Sequence, residues 1–378
     1  MDDFYSYFIE FLSCCVNQIP INFNYKKYNI TKLYNILKSH SLEHLLYNEL
    51  KLSEIKVDDD TEKFLYKSYR NSIKKSALYD AEAETISRQF YAENIPFLFL
   101  KGSVIRKYYP EAYMRTMSDM DILIPQEQRK NAYNILIRNG YKPEVFDIGE
   151  EDVYSKPPYI NIELHTSLIP CDKPWYSFFK TLEKEMLYSK ENINENLYLY
   201  FIAHTAKHFK YGGIGARNVI DIFYLKKECN LDENYIDGKL KELKLFKFAK
   251  TFEAVADCWF NGKPFTQDTE KISEFIITSG TYGTVKRLML SDKNVISGDK
   301  KSFILKRIFP SKETLATAYP VLTDKPFLLP AIYVIRIFKA IFFKNKKLKT
   351  NINSIKNINE DDIKYMREIY KTVGFEGD

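Results

Sequence analysis

Apolar residues return every three or four positions through the first part of the chain. They run through Phe8, Phe11, Leu12 and Val16, then Leu33, Ile36 and Leu37, then Leu45, Leu46 and Leu50. That is the period of helices burying one face. Thr61 to Tyr91 holds neither Gly nor Pro, so a single long helix is expected there, broken by Asn94-Ile95-Pro96. The period then changes. Phe97-Leu98-Phe99-Leu100 and Met120-Asp121-Ile122-Leu123-Ile124 are short apolar runs of the buried-strand kind, and Tyr159 to Leu164 alternates as a third strand. Between them, Gln126 to Asn139 predicts a helix with Gly140 as its C-cap. Helical spacing resumes over Leu197–Lys210 and Ala216–Cys229, through Phe260, and from Lys271 onward. The expected fold class is α+β: a small mixed β-sheet with helices on one face, flanked by N-terminal and C-terminal helical regions. Three regions follow, 1–92, 93–175 and 176–378, with no internal repeat.

Composition narrows the class without naming an activity. The hydrophobic fraction of 45% and the 58 aromatic side chains (29 Tyr, 27 Phe, 2 Trp) exclude intrinsic disorder, and 13 Gly with 14 Pro exclude collagen-like or linker-like chains. The aromatic supply reads as packing material rather than as stacking platforms for bases. The start, Met1-Asp2-Asp3-Phe4, is acidic where a secretory signal is basic, and no run reaches the length of a membrane span. Cys14, Cys15, Cys171, Cys229 and Cys258 are odd in number and scattered, without a C-x-x-C pair. A cytoplasmic location is expected. The net charge of +6 is matched by one segment, 336–349, where six basic residues meet no acid. Interleaved with Ile335, Phe338, Ile341, Phe342 and Phe343, that segment reads as a packed helix with a solvated lysine face or as a peripheral membrane contact. A nucleic-acid partner is not expected, because such proteins carry a broader basic face.

The chemistry-bearing stretch is Lys101-Gly102-Ser103, then Arg115, then Asp119-Met120-Asp121. On an extended strand Asp119 and Asp121 project to one side. Adjacent carboxylates repel unless a cation lies between them or one is protonated. Mg²⁺ favours such oxygens and keeps positions open for phosphates. Gly102 allows close backbone approach to a phosphate, and the Ser103 hydroxyl with helix-start N–H groups can bind its oxygens. Lys101 and Arg115 are candidate phosphate partners; the bland alternatives are a solvated Lys101 and an Arg115–Glu111 pair. Asn161, Glu163 and His165 share one strand face, so Glu163 becomes a third carboxylate if its strand lies beside that of Asp121.

In that order, with Tyr109-Pro110 and Glu163-Leu164-His165, these residues resemble the uncharacterised bacterial nucleotidyltransferase family of the polymerase-β-like superfamily. The resemblance covers roughly Ile95 to Leu168, more loosely the Ala203-His204 to Asp221 helices and Arg307-Ile308-Phe309-Pro310. It implies Asp119, Asp121 and Glu163 as catalytic metal ligands, Mg²⁺ or Mn²⁺ as cofactor, and an NTP as substrate. An NMP would pass to a hydroxyl acceptor (a small molecule, a sugar or a protein), with release of pyrophosphate. A catalytically silent binding module, in a toxin–antitoxin or envelope-assembly setting, is the competing expectation.

Other candidates carry less chemistry. His204 and His208 stand i, i+4 on a helix, as a zinc pair or as packing or cleft residues, but without the Glu of an H-E-x-x-H motif. Arg217 and Asp221 have the spacing of a helical ion pair or of cleft residues. Gly212-Gly213-Ile214-Gly215 lacks phosphate-loop spacing and reads as a helix boundary. His40 and His44 read as packing or surface residues.

Overall fold

The structure, a computed structural model, describes residues 1–22, 29–171, 173–210, 212–281, 285–290, 309–312, 315, 319, 321–342 and 358–375. Four helices lead: α1 (Asp3–Asn17), α2 (Ile30–Ser39), α3 (Leu45–Leu52) and α4 (Asp59–Ala92). The Asp58 carboxylate caps α4 through the Thr61 N–H, and Asp59, Asp60 and Glu62 crowd its first turn against the positive end of the helix dipole. Leu65, Ser72, Tyr79 and Ile86 are buried seven residues apart, so α4 buries a narrow stripe and leaves its other faces in water. It ends where Asn94 adopts positive φ, two residues before Pro96.

The five strands that follow are β1 (Leu98–Phe99), β2 (Met120–Leu123), β3 (Lys142–Val145), β4 (Glu151–Lys156) and β5 (Ile160–His165). They form one mixed sheet in the order β1-β2-β5-β4-β3. The α+β class expected from the hydrophobic pattern is the class observed. The β2–β5 pairing is parallel and sets Asp121 opposite Glu163, while the β4–β5 pairing is antiparallel and sets Glu151 opposite His165. Strands β3 and β4 were not among the expected elements. All four β3 residues are exposed, so no apolar run betrays the strand.

Alternation divides the sheet into two faces. Met120, Ile122, Ile160, Ile162 and Leu164 pack with Tyr79, Ile86 and Phe90 of α4. Ala132, Ile135 and Leu136 join the same core from α6 (Arg129–Arg138), which follows the short α5 (Gly102–Ile105). Burying each such aliphatic side chain contributes roughly 1.5–3 kcal/mol. The intervening residues Asp121, Glu163 and His165 are thereby turned to the opposite face. One row of hydrophobic residues thus fixes where the acids point.

The remaining helices are α7 (Tyr176–Lys184), α8 (Ile193–Lys210), α9 (Ala216–Glu228), α10 (Glu233–Glu242), α11 (Phe246–Phe260) and α12 (Gln267–Ser279). Two compact units result: residues 1–207 with 215–281, and 208–214 with 282–378. The first holds the whole sheet. His40 ties three of its helices together: Nδ1 accepts from the Ala216 N–H at 3.0 Å, and Nε2 lies 3.0 Å from the Ile277 carbonyl. His44 Nε2 lies 3.0 Å from the Met114 carbonyl. Both histidines are buried packing residues.

In the second unit, helix Glu360–Val373 opens on a capping box between Asn359 and Asp362 and closes on Gly374 in the left-handed region. Helix Leu329–Phe342 carries exposed Val334, Ile335, Ile337 and Phe338. The 336–349 segment is described only as far as Phe342, and Arg307 and Ile308 also lie outside the described residues. Among the described residues no helix is long and apolar enough to cross a membrane.

Candidate active site

The site begins with backbone geometry. Lys101 follows β1 at φ 48°, ψ −126°, a region that L residues rarely adopt and that costs roughly 1–3 kcal/mol. Its carbonyl accepts from the Val104 and Ile105 N–H groups, so it forms the start of α5. A Cβ on Gly102 would stand 3.1 Å from the Met117 side chain and 3.3 Å from an Arg115 guanidinium nitrogen, so a larger residue here would need those side chains to shift by a few tenths of an ångström. The Ser103 hydroxyl is buried and has no hydrogen-bond partner. An orphaned donor at that place fits a group yet to bind, such as a phosphate oxygen.

Donor atoms of Asp121, Glu163 and His165 all lie within 4.8 Å of one another, the one such ligand group among the described residues. His165 Nε2 is 2.9 Å from Asp121 Oδ1 and 3.8 Å from Glu163 Oε2, and its Nδ1 is 3.6 Å from Glu151 Oε2. Lys101 Nζ donates to the same Asp121 Oδ1 at 2.5 Å and lies 4.0 Å from Glu163 Oε2. Two carboxylates, with an imidazole at their edge, make a hard-donor set that fits a divalent ion.

The charges polarise the pair. Burial works to raise the Asp121 pKa, but Lys101 and His165 outweigh it and hold the carboxyl well below its ordinary range. Glu163 goes the other way: burial first, then the charges of Asp119 and Asp121, push it up to about 8. Burial opposes the Lys101 charge, yet Tyr200, Asp121 and Glu163 together raise its pKa. Two neighbouring carboxyls thus hold protons very differently, as in sites that need an acid and a base side by side.

Asp119 sits in a bend just before β2, outside the 4.8 Å group. That bend is held by the Ser118 carbonyl, which accepts from the Tyr79 hydroxyl at 2.8 Å and from the Asn161 amide at 3.3 Å. Arg115 is engaged within the protein: Nε and a terminal nitrogen bind the two oxygens of Asp221 at 2.7 and 2.8 Å. Tyr109 donates to the same Asp221 at 2.6 Å. Asp221 therefore takes Arg115 where the sequence spacing suggested Arg217. Arg217 donates to the Thr116 carbonyl at 3.2 Å. His204 lies one turn from Tyr200, ring to ring at 6.0 Å, and His208 is exposed.

Three residues of the site carried no motif. Tyr200 of α8 is buried beside Lys101, and burial above all raises its pKa. Lys207 of α8 and Lys75 of α4 are half-buried lysines whose pKa burial lowers; Lys207 feels Glu151 and Glu163, and Lys75 feels Asp119. Both lie on helical faces that tertiary packing alone brings to the acids.

The site thus joins a Gly-Ser helix start after β1 to acids on the adjacent strands β2 and β5 of a mixed sheet. The family comparison makes that specific: residues 26–261, more than half of the chain, match the uncharacterised nucleotidyltransferase family, and the chain belongs to it. A comparison with curated proteins finds no match. Among solved structures, a cytoplasmic RNA terminal U-transferase is similar at 14% identity and a TM-score of 0.21, over 52% of this chain and 53% of that one. The Cid1 poly(U) polymerase is similar at 14% identity and a TM-score of 0.21, over 49% of this chain and 54% of its own. The chain thus spans about half the length of these structures.

Proposed function

We propose that the protein transfers an NMP from an NTP to a hydroxyl acceptor and releases pyrophosphate, with Mg²⁺ or Mn²⁺ as its ion. The observation that carries this reading is the convergence of Asp121, Glu163 and His165 donor atoms within 4.8 Å, and the orphaned Ser103 hydroxyl adds to it. Asp121 would hold the ion, with Asp119 and Glu163 as its neighbouring carboxylates. Bound there, a divalent ion supplies charge neutralisation for the transferred phosphoryl group.

The chain's own groups account for the remainder. Gly102 and Ser103 would receive phosphate oxygens at the start of α5, and Lys207 and Lys75 would offer positive charge near the acids. The acceptor oxygen attacks the α-phosphorus, the bond to the bridging oxygen breaks, and pyrophosphate leaves with that electron pair. Burial and the neighbouring acids favour a proton on Glu163, and a bound ion would displace it.

The test is pyrophosphate release from each of the four NTPs in turn, with Mg²⁺ or Mn²⁺ and a cell extract as acceptor source. Wild type is compared with Asp121→Asn. Metal-dependent release that the variant lacks supports the proposal. Absence of both NTP binding and pyrophosphate release in wild type overturns it, and binding without release favours the silent module.

A further inference from the structure

Lys101 is held in a position that its backbone pays to adopt. Its φ of 48° and ψ of −126° suit glycine, yet the residue is lysine, and its carbonyl is fixed by the Val104 and Ile105 N–H groups. A strained, fixed backbone at a functional site points to a need for that side chain at that place. The side chain is 17% exposed and ends between the two acids, 2.5 Å from Asp121 and 4.0 Å from Glu163. Both Lys101 and His165 bind Oδ1 of Asp121, and Oδ2 takes neither of them.

We propose that the Lys101 ammonium is the resident cation of the seat between Asp121 and Glu163, so that this protein takes one divalent ion where a two-ion site would take two. The inference rests on the nucleotidyltransferase reading of the site and specifies its metal chemistry. Two carboxyls facing each other across paired strands need positive charge between them before both can ionise. A tethered ammonium supplies it permanently and at no dependence on ion concentration. A lysine delivers a single charge and directional hydrogen bonds, and it cannot be exchanged for Mg²⁺ without swinging its chain out of the site. A divalent ion arriving with the triphosphate would then be held by Asp121 together with Asp119. That division explains why Asp119 stands apart from the 4.8 Å group of Asp121, Glu163 and His165.

The experiment counts Mn²⁺ per chain by electron paramagnetic resonance on the full-length protein, with a non-hydrolysable NTP analogue. Wild type is expected to bind one Mn²⁺ per chain, and Lys101→Met two. Without nucleotide, Lys101→Met is expected to bind Mn²⁺ about tenfold or more tightly than wild type, because an opposing charge has left the seat. Two Mn²⁺ per wild-type chain would overturn the proposal while leaving the nucleotidyltransferase reading intact, and that count needs no variant to fold. Equal counts and affinities in wild type and a folded Lys101→Met or Lys101→Gln would overturn it too. Absence of both Mn²⁺ and analogue binding to wild type would overturn the reading of the site and the proposal together.

Discussion

Asp221→Ala removes the carboxylate that satisfies a fully buried arginine. Arg115 keeps two hydrogen bonds to it, Tyr109 adds a third, and both charged side chains are nearly inaccessible, at 9% and 1% exposure. Deleting one partner of such a pair leaves an uncompensated buried charge and costs about 3–5 kcal/mol. At about 2–4 °C per kcal/mol for a large domain, the melting temperature is expected to fall by about 6–20 °C. The double variant Arg115→Met/Asp221→Ala, which removes both charges, is expected to recover most of that loss. The assay is urea unfolding followed by circular dichroism, with the four proteins of the cycle measured together. A loss under about 1 kcal/mol for Asp221→Ala, or a double variant whose loss equals the sum of the singles, refutes the reasoning. The cycle also bears on chemistry, because the Arg115 guanidinium lies 3.3 Å from the place a Gly102 side chain would fill. If the pair acts as a strut under the Gly-Ser turn, the conservative Arg115→Lys variant loses stability and nucleotide affinity together.

Ser103→Ala is expected to leave stability unchanged, since its hydroxyl has no partner to lose. Nucleotide affinity is expected to fall by roughly 10- to 100-fold, the worth of a charge-assisted hydrogen bond; an unaltered Kd removes Ser103 from the phosphate site. Burial lowers the pKa of both His40 and His44 from 6.5 to about 4. With folded pKa values below the unfolded ones, their stabilising effect is full above about pH 6.5 and is lost as pH falls toward 4, by about 3 kcal/mol each. His40→Gln should flatten the pH dependence of urea unfolding over that window; an unchanged slope contradicts the assignment. Exposed Val334 and Phe338 on helix Leu329–Phe342 are candidate membrane-contact residues. Val334→Asp/Phe338→Asp is expected to weaken flotation with anionic vesicles at least about fivefold, and equal flotation discards membrane contact through that face.

Much of the fold could be read locally: α4 from a stretch without Gly or Pro, β2 from a short apolar run, and β5 from its alternation. The acids were legible for the same reason: Asp121 alternates with Met120 and Ile122, as Glu163 does with Ile162 and Leu164. Strands β3 and β4 escaped because β3 has no buried residue, and β4 offers mainly Val153 and Tyr154 among charges. Pairing was the harder part. Local spacing suggested Arg217 with Asp221, whereas the partner is Arg115, 106 positions away. The same limit hid Lys75, Lys207 and Tyr200, whose helices carry no signal of what they face. Lys101 was visible as a charge beside Gly-Ser, but its contact with Asp121 depends on a backbone conformation that no residue pattern announces.

The parallel pairing of β2 with β5 has a consequence for the order of folding. Asp121 and His165 are 44 positions apart, and everything from α6 to β4 must be laid down between them. Such a crossover closes slowly, since its chain entropy is spent before its contacts return anything. The carboxylates are therefore expected to meet late, after α4 has collected the apolar face of the sheet. A chain stalled before that step would hold a nearly complete helical shell with no ion-binding capacity, so metal affinity gained during refolding would time the last pairing of the sheet.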